Sequence, residues 1–314
     1  MRFGLALAFF CLLAAFFTGA CQPDGAGPAG CRYDPSNVVW SHFSGERAHQ
    51  HCAALVEFGP RPAGSPALER ARGYLEAQLK SAGWTVERQA FTEPTPLRPI
   101  EFVNVRARFG TNDFKKPVRV ILGSHYDTKY FPNIRFTGAN DGGSSSGALL
   151  EIARVLALRP ALAQCIELVF FDGEEAVEDY TATDGIYGSR FYAREITRRQ
   201  KPAERPRAVV ILDMIGDPDL HVRIPSDTPR GLAEWLFAAA QEAGTSSYFG
   251  WASTPITDDH APFQREGVPA IDLIDLDFQS WHTSGDTMEQ ISPQSLETVV
   301  RTALLLVERH LVAP

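Results

Sequence analysis

An α/β fold, with a mostly parallel but mixed and twisted sheet flanked by helices on both faces, is predicted by three features of the 314-residue sequence. Apolar runs of strand length alternate with helix-period segments at least four times. The runs at 118–124, 168–171, 208–212 and 270–275 are nearly continuous rather than alternating, as strands covered on both faces must be. Charge also arrives abruptly where a run ends: His125-Tyr126-Asp127 after the first, Asp172-Gly173-Glu174-Glu175 after the second, Asp213 after the third. In such a sheet the carboxyl ends of neighbouring strands meet, and ligands bind outside that edge.

The elements follow in order. Residues 37–57 read as helical, and the turn residues of 58–66 come next. Ser65-Pro66 then opens a helix with Leu68, Leu75 and Leu79 on one face, closed by Gly83. Residues 85–91 and 102–109 read as edge strands around a Pro-rich loop. After the strand that delivers His125, the Gly-rich stretch 137–147 enters a helix carrying Leu149, Ile152, Ala153 and Leu156 inward, stopped at Arg159-Pro160. That stretch has no P-loop lysine and places Asp141 in front, which argues against a phosphate cradle. A helix over 187–199, a second over 231–243 with Trp235 in the core and Gly244 at its end, and a last one capped by Ser292-Pro293 complete the pattern.

A net charge of −8 argues against a nucleic-acid partner, and 44% apolar with 22% charged residues is an ordinary globular composition. At the N-terminus, Met1-Arg2, an apolar run over 5–17 and the small residues Thr18-Gly19-Ala20 have the layout of a secretory signal peptide, residues 1–20. Residues 21–36 are then a flexible tether, and 37–314 a single catalytic domain. Cys21 stands where a bacterial lipoprotein signal places its acylated cysteine, so a lipid there is the expected membrane contact. The protein is expected to be exported, whether periplasmic, lipid-anchored or secreted. Of the five cysteines, Cys31 and Cys52 are candidates for a disulfide, and Cys165 for a buried free thiol.

A Glu-Glu pair on its own is ordinarily a solvated turn, and a lone histidine at a strand end is ordinarily structural. Here they keep company. His125, Asp141, Glu174, Glu175, Asp213, Asp258 and His282 all follow apolar runs, so one cleft can collect them. Like charges so gathered repel. A divalent metal is the simplest neutraliser, and histidine with carboxylate and no thiolate suits catalytic zinc.

The series His125-x-Asp127, Asn140-Asp141, Asp172-Gly173-Glu174-Glu175, Leu212-Asp213-Met214 and His282 is similar to the zinc aminopeptidases with a two-metal site. That resemblance implies Asp141 as bridging ligand, Glu175 and His282 on one zinc, His125 and Asp213 on the other, and Glu174 as general base. Longer motifs resemble the glutaminyl cyclase branch of the same clan: residues 125–131, 170–176 and 187–190, Asp258-Asp259-His260-x-Pro262-Phe263, and Trp281-His282-Thr283. This second resemblance implies cyclisation of an N-terminal glutamine of peptides or proteins to pyroglutamate. It implies one zinc on Asp141, Glu175 and His282, with a second site at His125 and Asp213 as the alternative. It makes Glu174 the proton carrier, Asp213 and Asp258 an acidic pair that stabilises the intermediate, and Trp281 a pocket wall. Two positions depart from the animal members: Tyr180 where they carry Trp, and Asp272 where they carry His. Tyr180 is expected against substrate, and Asp272 either as a buried core carboxylate or as a pocket residue that holds the substrate amine. The cysteine pair of secreted animal members is replaced by Ser124 and Ser146. A two-zinc aminopeptidase and a non-catalytic peptide-binding relative are the other readings.

Overall fold

The computed structural model describes residues 35–36 and 38–312. Its strands are β1 (Trp84–Glu93), β2 (Ile100–Phe109), β3 (Val120–His125), β4 (Ile166–Phe171), β5 (Ala208–Asp213), β6 (Val222–Ile224), β7 (Phe249–Trp251) and β8 (Ala270–Ile274). They form one sheet in the order β1-β2-β4-β3-β5-β8-β6-β7. Its centre, β4-β3-β5-β8, is parallel, and every residue of those four strands is buried. Burial on both faces is why they read as continuous apolar runs.

Side chains alternate across the pleat. Val120, Leu122, Leu168, Phe170, Val210 and Leu212 join one apolar layer, and Ile121, Val169, Phe171, Val209 and Ile211 join the other. The first layer is covered by α1 (Gly45–Val56), α2 (Pro66–Ser81), α3 (Ser145–Ala157) with the short α4 (Pro160–Ala163), and, further along, α6 (Arg230–Ala243) and α8 (Pro293–Leu306). The second is covered by α5 (Tyr187–Arg199) and α7 (Ala261–Arg265). The single α/β domain with helices on both faces is therefore as expected.

Several local expectations change. The first helix begins only at Gly45, because Ser44 caps it by accepting from the Arg47 N–H at 3.4 Å. Strand β1 is an edge, but β2 is not: it pairs antiparallel with β4 as well. The three-residue strands β6 and β7 were not anticipated. Trp235 packs against the core yet stays partly exposed, with the Arg207 guanidinium 5.0 Å from its ring centre and His310 stacked on it. The cysteine expectation is corrected as well: Cys52 is a buried free thiol and Cys165 is the disulfide-bonded one, so Cys31 and Cys52 are not joined. The signal segment, Cys21 and Cys31 lie outside the described residues. Among the described residues no helix is long and apolar enough to cross a membrane.

Candidate metal centre and active site

The chemical residues stand at the carboxyl ends of the strands or in the segments that follow them: His125 and Asp213 close β3 and β5, and Glu174 and Glu175 come directly after β4. After β4, Gly173 takes φ 71°, and a Cβ there would fall 2.4 Å from the Phe102 ring, so the turn that presents Glu174 and Glu175 requires glycine. Beside Asp141, Gly142 takes φ 73°, and a Cβ would meet the His125 ring at 2.7 Å. Three non-glycine residues, Ile186, Met214 and His282, also hold positive φ (44°, 46° and 55°). All three line one cavity of about 1200 Å³. Strain concentrated at one cavity is a mark of a functional site.

Asp141, Glu175 and His282 come together on the wall of that cavity, each offering a ligand atom within 4.8 Å of the others. His282 Nε2 lies 3.3 Å from Glu175 Oε1 and 3.4 Å from Asp141 Oδ2. Its ring is held edge-on by Phe131 and Phe136. A second group, His125, Asp141 and Asp213, shares Asp141. His125 is enclosed there, 1% exposed, with Nε2 3.2 Å from both Asp141 and Asp213 and Nδ1 3.4 Å from Asp127. It does not reach the cavity surface, whereas Asp213 does.

The electrostatics describe a site with an excess of buried carboxylate. Burial, with the Asp258 charge adding to it, pushes Glu174 well above the usual carboxylate range. Burial and Asp141 push Glu175 up to about 7. Burial also raises Asp213 to about 7, against the pull of His125. Burial opposes charge on His282, yet its hydrogen bonds with Asp141 and Glu175 prevail and lift it to about 10. Burial would raise Asp141, but bonds with His125 and His282 hold it below its ordinary value. A proton on His282 thus occupies the place a metal would take, and the two must compete.

Glu174, Asp258 and Asp213 line the same cavity, as do Tyr180 and Trp281 at its rim. The Tyr180 hydroxyl donates to Glu174 Oε1 and lies 3.1 Å from the Glu174 carbonyl. Asp272 is the exception. It is fully buried beneath the cavity rather than in its wall, because the pleat of β8 turns it with Ala270 toward α7; its Oδ2 is 3.6 Å from His260 Nδ1. Of the two readings of Asp272, the fold favours the buried core carboxylate. Ser124 and Ser146 hydrogen-bond at 3.1 Å in the positions named for the missing cysteine pair.

Sequence reasoning missed the frame around these residues. Asp127 accepts from the Glu174 and Glu175 N–H groups at 3.2 and 3.3 Å, fixing both glutamates. Asp286 accepts from the N–H groups of Asn140 and Asp141 at 2.6 and 3.1 Å. Arg61, fully buried, donates to the carbonyls of Tyr126, Thr137 and Gly138, tying three segments behind the ligands. An arginine wedged between Pro60 and Pro62 was the one available signal.

With this geometry, the chain matches the family model of peptidase family M28 over residues 104–307, which defines its class. Curated relatives narrow it. A glutaminyl-peptide cyclotransferase-like protein of Bos taurus is 33% identical over 282 residues, covering 80% of this chain and 72% of the relative. The glutaminyl-peptide cyclotransferase of Drosophila melanogaster is 30% identical, covering 89% and 85%. Among solved structures, an Acidobacteriales bacterium glutaminyl cyclase is similar with a TM-score of 0.78 and 32% identity, over 91% of this chain and 97% of that one. The chain belongs to the glutaminyl-peptide cyclotransferase family.

Proposed function

We propose that this cleft converts the N-terminal glutamine of peptides or proteins into pyroglutamate with release of ammonia, using one zinc ion held by Asp141, Glu175 and His282. The observation that carries the reading is Glu174, a buried carboxyl on the cavity wall next to the three-residue ligand group, whose proton affinity burial raises. The donor set fits the ion. Two carboxylates and one imidazole from three separate loops converge on a point open to the cavity, where the buried Asp141 Oδ2 faces His282 Nε2 at 3.4 Å. Three protein ligands with an open position are the pattern of catalytic zinc. Zinc bound there would act as a Lewis acid toward the substrate's side-chain amide carbonyl.

The residues of the chain do the rest. The α-amine nitrogen of glutamine bonds to its own side-chain amide carbon, and the bond from that carbon to the amide nitrogen breaks. Glu174 takes the proton lost by the amine and returns it to the departing nitrogen, which leaves as ammonia. Tyr180 keeps Glu174 aimed by its hydroxyl bond. Asp213 and Asp258 hold the intermediate by hydrogen bonds, and Trp281, stacked beside His282, walls the pocket.

A second reading, a two-zinc aminopeptidase, is favoured by the His125, Asp141 and Asp213 group. Against it, His125 does not line the cavity and already contacts three carboxylates. Incubation of the purified protein with a Gln-initiated peptide distinguishes them. Loss of one ammonia in the peptide mass, with no free amino acid, is expected; release of free glutamine would support the aminopeptidase.

A further inference from the structure

Cys165 is disulfide-bonded and Cys52 is a free thiol, so of the chain's five cysteines only Cys11, Cys21 and Cys31 can be the partner of Cys165. Cys52 is kept out by its surroundings. It is fully buried in α1, with Sγ 3.1 Å from the Ala139 carbonyl and 3.5 Å from Met288 Sδ. Burial pushes its thiol up to about 12. Disulfide exchange proceeds through thiolate, so a group this reluctant to ionise does not take part.

Cys165 lies at the opposite end of the parallel strands from the cleft. It directly precedes β4, and its carbonyl accepts the N–H groups of Arg119 and Val120 at 2.9 and 3.3 Å, where β3 begins. The N-terminal end of the described chain packs at the same place. Val39 is buried, and its N–H and that of Trp40 donate to the buried Glu308 carboxylate at 3.1 and 3.3 Å. Glu308 also accepts from Arg159 Nη1 at 3.0 Å, and only α4 separates Arg159 from Cys165. A helix of that length rises about 6 Å. Cys31 stands eight residues before Val39, a stretch that can span up to about 28 Å, so its thiol reaches Cys165 easily. Cys11 falls in the apolar run of the expected signal segment, and Cys21 where acylation would leave no thiol. Of the three, Cys31 also closes the shortest loop to Val39, which costs the least chain entropy.

We propose that Cys31 and Cys165 form a disulfide that fastens the N-terminal tether to the amino ends of the parallel strands, so that whatever precedes Cys31 is attached at the end of the molecule remote from the cleft. The two thiols give up two protons and two electrons to an incoming disulfide, low-molecular or protein-borne, which leaves as two thiols. The inference is independent of the reaction proposed for the cleft. In the test, the full chain is equilibrated with glutathione and glutathione disulfide, its free thiols are alkylated under denaturing conditions, and it is digested without reduction for mass spectrometry. A peptide pair joined through Cys31 and Cys165 is expected, with Cys52 alkylated. The pair should persist in Cys21→Ser and disappear in Cys31→Ser. Reduction of the wild type should lower its urea midpoint by about 0.5–1 M. Cys31→Ser should already show that lowered midpoint, and reduction should not lower it further. Cys165 joined to Cys11 or Cys21, Cys165 recovered alkylated, or a wild-type midpoint that reduction leaves unmoved would overturn the proposal.

Discussion

On the antiparallel side of the sheet, the Glu167 carboxylate of β4 lies between Arg106 and Arg108 of β2, accepting from their Nε atoms at 2.6 and 2.5 Å. The two guanidiniums are completed by the carbonyls of Phe114 and Lys116, and Arg106 also pairs with Glu87. At the carboxyl end of the parallel strands the balance is reversed. Asp141, Glu174, Glu175, Asp213 and Asp258 are all buried, with the imidazoles of His125 and His282 set among them. Buried charge is tolerated when paired and bonded, and is costly otherwise. The paired cluster holds strands together; the unbalanced one contains two groups of residues that could hold a metal ion.

The contrast can be broken at either end. The largest effect is expected at Glu174, the residue proposed to move the proton. Glu174→Gln should cut kcat by about 10²- to 10⁴-fold with metal content unchanged. Turnover within a few-fold of wild type would remove the proton-transfer role.

At the paired cluster the loss is one of stability. Glu167→Gln leaves two buried guanidiniums without their carboxylate and should cost about 3–5 kcal/mol at neutral pH, read from denaturant unfolding. Burial alone would raise the Glu167 pKa, but Arg106 and Arg108 outweigh it and hold the group below its ordinary value. A carboxylate depressed in the folded state gives stability that is complete above its unfolded-state pKa and is lost as the pH falls through the folded-state pKa. The gap between wild type and variant should therefore be widest at neutral pH and narrow below about pH 4. A gap of equal size at pH 7 and pH 3 would mean that the carboxylate charge contributes nothing there.

The same contrast separates what could be read from the sequence and what could not. Parallel strands announce themselves, since a run such as 208–212 is apolar throughout and stops at Asp213. Ser65-Pro66 and Ser292-Pro293 announced two helix starts, and in both the serine hydroxyl accepts the expected N–H. Residue types at strand ends likewise pointed to Asp141, Glu175 and His282, which the fold brings together. Strands of three residues, β6 and β7, carry too few positions for a period to register. The structural ion cluster was invisible for another reason: Arg106 and Arg108 alternate along β2 with Val105 and Ala107, as an exposed face would, and their cover comes from Glu167 of β4, the carbonyls of Phe114 and Lys116, and Tyr192 of α5. The burial of Asp272 was legible too, from its place between Ala270-Ile271 and Leu273-Ile274 on a core strand. Cys165 escaped because spacing does not determine disulfide connectivity.

The claim that the acidic cleft is completed by a single metal ion is tested most directly by elemental analysis of purified wild type, His282→Ala and His125→Ala. One zinc per chain in the wild type is predicted, lost in His282→Ala and kept in His125→Ala. Two equivalents in the wild type, with one lost in His125→Ala, would contradict it.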